Sequence, residues 1–474
     1  RVSTTMHFMP GCEILQSFDL VHWEHATYVY ETLDHTDAQQ LKSGQNIYGQ
    51  GMWAASLRYH EGRFYICFVA NDTRKTYLYT SEKIDGPWKK QLIEGFYHDG
   101  SLLFDEDGRN YIVYGNDEIW ITELNEDLTA PKKDGLHRLL VSDHKNPELG
   151  YEGSHIQKIN GYYYIFLIHS LRDRWMRTEA CFYSDSLEGE FTGGDVLCDD
   201  RGYCGQGVAQ GGIVDTPDGK WYAMLFQDSG AVGRIPILVP VTWKDHFPFF
   251  GQNGHVPEEI EVHSTRPGYI YQPLVGSDDF CNGLLPRWQF NHDPDPRYYH
   301  LDALQGTYTI TTREVCTELT QAVNTLTQRM SYPSCAAEVT VDASALKEGD
   351  VAGLCALQSC YAAVGITKHH GKYEVLMLDK KEDGILDMTE GTVVESHQMD
   401  FRLEADFCNM KDEARCYYRV NKGDWLPIGT VHKLYFKLDH FTGCRFGLFC
   451  YAAEETGGSA CFRDFKYYDV DEIS

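Results

Sequence analysis

Apolar residues fall in short runs closed by turn residues, and helix-period stretches are nearly absent. One arrangement recurs: a turn ending in Gly, one or two linking residues, then an aromatic-rich apolar run. It appears at Gly62-Arg63-Phe64-Tyr65-Ile66-Cys67-Phe68 and at Gly108-Arg109-Asn110-Tyr111-Ile112-Val113-Tyr114. It returns at Gly161-Tyr162-Tyr163-Tyr164-Ile165-Phe166-Leu167 and at Gly219-Lys220-Trp221-Tyr222-Ala223-Met224-Leu225, with glycine spacings of 46, 53 and 58. A further strand candidate precedes each run, starting at Ala55, Ser101, Ser154 and Gly212. A second motif, a strand end, a tight turn and an aromatic plug, follows at Ser81 to Trp88 and Ser184 to Phe191, with an earlier copy at Ser17 to Trp23. Repeats of about 40–60 residues with four short strands each predict a β-propeller. The four copies and the Ser17 copy predict five blades, the first incomplete, its opening strands lying upstream of Arg1.

The repeat fades after Trp243, and Phe247 to Pro267 reads as a linker. About ten alternating strands follow between Thr307 and Tyr468, Lys433 to Leu438 among them, and predict a two-sheet sandwich. Asp342 to Leu346 reads as one helical turn. The expected fold is all-β: a five-bladed propeller over residues 1–262, then a concanavalin- or jelly-roll-like sandwich over 263–474.

Charge narrows the partners. Lys plus Arg is 42 and Asp plus Glu is 70, a net charge of −28. Such a surface repels phosphate backbones and anionic lipid, so nucleic acid and membrane are excluded as partners. The longest aromatic-apolar run, Tyr162 to Ile168, is far short of a bilayer span. The 31 Tyr and 9 Trp suit a sugar-stacking surface. The 15 Cys are odd in number and scattered, without CxxC spacing, which reads as buried thiols in a reducing cytosol. No signal peptide is visible, so a cytoplasmic location is expected; assembly into a homo-oligomer is left open.

A propeller gathers loops from every blade at one end of its axis. Asp99, directly before the Ser101 strand, and Glu152, directly before the equivalent strand of the next blade, would converge there. Repeat alignment places Trp53 and Gln210 at the matching positions of the flanking blades. Glycosidic hydrolysis needs one protonated carboxyl and one carboxylate, and a neighbouring acid can raise the proton donor's pKa. Each acid alone reads as a turn residue; at matching points of a repeat, the catalytic reading is preferred. Arg234 is placed to reach the mouth, with a surface ion pair as the alternative. Met6, His7 and Phe8, before Pro10-Gly11, are further substrate-binding candidates, with core packing as the competing reading. Asp279 and Asp464, near the two ends of the sandwich segment, are candidate ligands for a structural calcium.

The runs VSTTMHFMPG, WAASLRYHEGRFY, HDGSLLFDEDGRNYIVYG, YEGSHIQKINGYYYIFLI, GVAQGGIVDTPDGKWYAMLFQ and VGRIPILVPVTW resemble the glycoside hydrolase family 43 propellers. NTLTQRM and GDVAGLCALQS are similar to the C-terminal sandwich of the β-xylosidase and α-L-arabinofuranosidase members. The resemblance implies an inverting exo-glycosidase acting on xylo- or arabinoxylo-oligosaccharides, with no cofactor required. It assigns Glu152 as general acid, Asp99 as the residue that tunes it, and Trp53 and Arg234 as sugar contacts. Gln210 stands where many members carry a His linked to a central calcium. The family's general base lies in a Pro-Asp motif upstream of VSTTMH, so no residue here takes that role. Two alternatives stay open: a catalytically inactive glycan-binding propeller, and an arabinanase or galactosidase specificity on the same scaffold.

Overall fold

The computed structural model describes residues 1–469. Five antiparallel sheets form the blades of a propeller. Blade 1 contains Val2–Ser3, Gly11–Gln16 and Glu24–Tyr30. Blade 2 contains Met52–His60, Arg63–Ala70, Lys75–Ser81 and Lys89–Ile93. Blade 3 contains Ser101–Phe104, Asn110–Asn116, Glu118–Leu124 and His137–Ser142. Blade 4 contains Glu152–Ile159, Tyr162–Ser170, Arg177–Ser184 and Thr192–Leu197. Blade 5 contains Ala209–Asp215, Trp221–Asp228, Arg234–Lys244 and Phe247–Phe250. The glycine of each recurrent motif ends the hairpin turn between the first and second strands of its blade.

The aromatic-rich second strands are the middle layers of this packing. Successive side chains of a strand point to opposite faces, and both faces of a blade meet a neighbouring blade. Phe68 and Tyr77 of blade 2 pack with Val29 and Tyr30 of blade 1, and Cys67 and Leu78, facing the other way, pack with Leu102 and Ile112 of blade 3. Tyr111 and Val113 meet Tyr163 and Ile165 of blade 4, and Tyr164 and Phe166 meet Ala223 and Leu225 of blade 5. Full burial of each large apolar side chain stabilises by about 1.5–3 kcal/mol. Arg58 staples three blades, donating to the Leu102 carbonyl at 3.0 Å, Ser101 Oγ at 2.7 Å and the Ile156 carbonyl at 2.9 Å.

Several local expectations change. Phe247–Phe250 is the fourth strand of blade 5, not linker, with Phe250 buried against Phe166 at 5.9 Å between ring centroids. Its Pro248 is tolerated because the strand is an edge, where no ladder partner needs the missing N–H. The irregular stretch is 251–276, and it returns to blade 1: Thr265 N–H donates to the Phe18 carbonyl at 2.7 Å and Gln272 N–H to Glu24 Oε2 at 2.8 Å. Residues 343–346 form a turn rather than a helix, and the strand near Lys433 is Leu426–Lys433 rather than Lys433 to Leu438.

The sandwich pairs a nine-stranded and a seven-stranded sheet, with Val339, Phe401, Leu448 and Phe462 among the buried residues between them. The two domains are joined by main chain as well as side chains. Phe8–Met9, from the blade 1 region, adds a strand to the nine-stranded sheet beside Gln289–Asn291. Each of the fifteen cysteines is a free thiol. Among the described residues no helix is long and apolar enough to cross a membrane.

Candidate active site

The innermost strands of blades 2, 4 and 5 slip register at one place: between Met52 and Ala55, Glu152 and His155, and Ala209 and Gly212. A bulge of this kind inserts an unpaired residue and re-aims the side chains beside it. Counting back from the paired residues, Glu152 shares its position with Met52 and Ala209. The same count from Ser101 in blade 3 reaches His98, whose carbonyl accepts the Gly115 N–H at 3.1 Å. Asp99 therefore matches Trp53, Gly153 and Gln210, one place further on. The backbone agrees in blades 3, 4 and 5: Asp99, Gly153 and Gln210 are left-handed, with φ of 48, 66 and 60°, while Trp53 in blade 2 is not. The repeat alignment that equated Asp99 with Glu152 is thus off by one residue.

That offset brings the two acids together at different depths. Asp99 is 7 % exposed, and its Oδ2 accepts the Gly153 N–H at 3.1 Å and Gln210 Nε2 at 3.4 Å. Its carbonyl accepts Ser154 Oγ at 2.8 Å. Glu152 stands forward of it, with Oε2 accepting Asn116 Nδ2 at 2.9 Å. Asp99, Glu152 and His98 each bring one polar atom within 4.8 Å of the others. Burial pushes the Asp99 carboxyl up to about 6, and the neighbouring Glu152 charge adds to the rise. His98, Arg234 and the Gly153 N–H act in the opposite direction. Protonation of two such close carboxyls belongs to the pair.

One wall is cationic and aromatic. Arg234 opens the third strand of blade 5, and its guanidinium lies 4.3 Å from the ring centroids of both Phe226 and Phe441. Its Nε donates to Asp228 Oδ1 at 3.3 Å, and Arg177 holds the other oxygen of Asp228. Trp53 meets Phe441 edge-on at 5.4 Å. Phe441 belongs to the sandwich, on a loop that presses against the 230–233 turn of blade 5. Cys444 N–H donates to the Ala231 carbonyl at 2.9 Å, and a Cβ at Gly443 would meet the Val232 carbonyl oxygen at 2.1 Å. Trp175, 43 % exposed, adds an aromatic face over Arg177 at 5.2 Å. Asn116, Phe441 and Trp175 escape a repeat-based reading.

Residues 2–248 match the model of glycosyl hydrolases family 43, and residues 277–468 match the β-xylosidase C-terminal concanavalin A-like domain. The chain belongs to glycoside hydrolase family 43. A β-xylosidase of Formosa agariphila is 25 % identical over 99 % of this chain and 85 % of its own length. A non-reducing end α-L-arabinofuranosidase of Bacteroides ovatus is 23 % identical over 82 % of this chain and 75 % of its own length. A solved structure of a bifunctional GH43-CE protein of Bacteroides eggerthii is 41 % identical and superposes with a TM-score of 0.90, covering 99 % of this chain and 60 % of that one.

Within this family-43 hydrolase, Asp99, Glu152, Trp53, Arg234 and Gln210 converge on one mouth, while the five other sequence candidates do not. Met6, His7 and Phe8 are completely buried at the junction of the domains and offer a sugar no surface. Phe8 packs with sandwich residues Leu319 and Tyr361, and its ring lies 3.7 Å below the Arg445 guanidinium. Gln210 acts through its neighbours: its amide reaches Asp99 and its N–H donates to Glu179 Oε2 at 2.7 Å. Asp279 and Asp464 line one surface cleft with Asp278. Asp278 is committed there to the Phe280 N–H at 2.7 Å and Trp288 Nε1 at 2.8 Å, and Asp279 Oδ1 accepts the Cys281 N–H at 2.9 Å. Asp278 and Asp279 thus cap turns here, and neither Asp279 nor Asp464 belongs to a group of three or more metal-ligating side chains among the described residues.

Proposed function

We propose that the chain is an inverting exo-glycosidase that releases terminal xylose or arabinofuranose from xylo- or arabinoxylo-oligosaccharides. The observation that carries this reading is the Asp99–Glu152 pair set beneath aromatic and guanidinium groups in a family-43 propeller. Glu152, the forward acid, protonates the leaving oxygen. Asp99, behind it and engaged by Gly153 and Gln210, holds and tunes Glu152 without touching the sugar. Inversion places a second carboxylate about 6.5–9.5 Å from the acid, leaving room for water. Asp99 is too close to Glu152 for that role. Asp228 is neutralised between Arg177 and Arg234. Water activation is the role that the family resemblance, and not this geometry, gives to the Asp of a Pro-Asp motif. Arg234, Trp53 and Phe441 form the wall against which the terminal sugar sits, and the sandwich loop carrying Phe441 suits a pocket for chain ends.

The test is a panel of xylo-, arabinoxylo-, arabino- and galacto-oligosaccharides, with products identified and the first-formed anomer read by proton NMR. Xylose or arabinose released singly with inverted configuration is expected. Galactose, internal cleavage products or a retained anomer would overturn the assignment.

A further inference from the structure

Hydrolysis assigns work to Asp99 and Glu152, yet a third titratable group meets them. His98 Nε2 lies 3.7 Å from Asp99 Oδ2 and 3.7 Å from Glu152 Oε2, and it has no hydrogen-bond partner closer than these. The register places His98 on blade 3 where Glu152 stands on blade 4, so both side chains are aimed at the same mouth. The ring lies 6.2 Å from Trp53, and its side chain is 21 % exposed, dry enough for charge to be felt. Four charged groups act here. Asp99 and Glu152 face His98 directly. Arg74, from the turn after the second strand of blade 2, opposes its positive charge. Arg234 acts on the acids from the far wall.

We propose that His98 is a positioning residue: its imidazolium, held between the two carboxylates, orients them and sets which protonation state the pair holds in the resting enzyme. Burial alone would favour the neutral ring. The Glu152 and Asp99 carboxylates outweigh burial and raise the His98 pKa above its ordinary value. By reciprocity, a cation at this place favours the ionised form of Asp99. Removing it makes Asp99, and through it the coupled pair, hold its proton to higher pH. The proposal deepens the glycosidase reading and rests on it for its kinetic arm.

Two measurements test it. In the first, kcat/KM is followed against pH for the wild type, His98→Asn and His98→Lys. For His98→Asn, both limbs of the bell are expected to move up by about one pH unit, the lower end of what an adjacent opposite charge produces. His98→Lys, which restores a cation, is expected to return them toward the wild-type positions. A loss of rate with unmoved limbs would overturn the proposal and leave His98 a packing residue. In the second, the His98 ring is titrated by NMR in the wild-type protein and in Glu152→Gln. Its pKa is expected to fall when the carboxylate is lost, and an unchanged titration would overturn the proposal. This arm needs no turnover. A wild type that releases no sugar therefore refutes the glycosidase reading, whereas a silent His98 titration refutes this inference.

Discussion

Acidification from pH 7 to pH 5 should loosen the junction between propeller and sandwich through three histidines. His7, His292 and His440 are buried together there, with ring centroids 4.8 Å apart for His7 and His292 and 5.3 Å for His7 and His440. Tyr48 stacks on His440 at 5.7 Å, and His292 Nε2 accepts the Ile47 N–H at 3.0 Å. Both ring nitrogens of His7 and of His440 have no hydrogen-bond partner. Burial holds all three rings neutral: His292 is lowered to about 3, His440 to about 4, and His7 well below the ordinary value. A histidine whose folded pKa is depressed binds fewer protons folded than unfolded, so stability is full above about pH 6.5 and falls as pH drops toward the folded value. At pH 5 each unfolded histidine has gained about 2 kcal/mol of protonation free energy that the folded one has not, or about 4 kcal/mol for His292 and His440 together. The assay is urea unfolding at pH 7 and pH 5 for the wild type and His440→Phe. The wild type should lose several kcal/mol, and the variant about 2 kcal/mol less. Carboxylates that titrate over this range contribute equally to both proteins and cancel in the difference. An equal loss in both would refute the reasoning.

Other expectations follow from the site. Phe441→Ala removes a ring from Arg234 and from Trp53, two contacts each worth about 0.5–2 kcal/mol, so kcat/KM should fall roughly tenfold while circular dichroism stays unchanged. The Asp99–Glu152 pair, with Asp99 raised to about 6, should impose a limb on the rate, and Asp99→Asn should lower kcat and shift that limb in a pH series. Gly153→Ala meets both a left-handed backbone with φ of 66° and the Gln210 side chain at 2.6 Å. It should cost about 1–3 kcal/mol in thermal unfolding and misplace Glu152, lowering kcat more than it raises KM.

The blade architecture was legible because its signal is local. The Gly-turn and aromatic run at Gly62, Gly108, Gly161 and Gly219 each lie within one hairpin, and hydropathy reads a hairpin well. The same locality explains the failures. Phe247–Phe250 looks like linker because its pairing with Val241–Lys244 follows a Pro-containing edge with no alternation of its own. The one-residue misalignment of Asp99 with Glu152 arises because a bulge shifts register without changing composition. Phe441 and Arg234 lie more than 200 residues apart in the chain, and only the docking of the sandwich loop on blade 5 brings them into contact. Met6, His7 and Phe8 resemble pocket residues in sequence, since burial in a junction and burial around a ligand draw on the same large side chains. The left-handed φ values shared by Asp99, Gly153 and Gln210 carry the true blade correspondence in the backbone and leave no trace in hydropathy.

The most direct test of the account is the release of xylose or arabinose from a natural oligosaccharide by the wild type and by Glu152→Ala, since an activated aryl leaving group does not need the proton. Loss of the general acid should lower kcat by about 10²- to 10⁴-fold, with the fold retained. Release by Glu152→Ala at the wild-type rate would contradict the assignment of Glu152 as the proton donor.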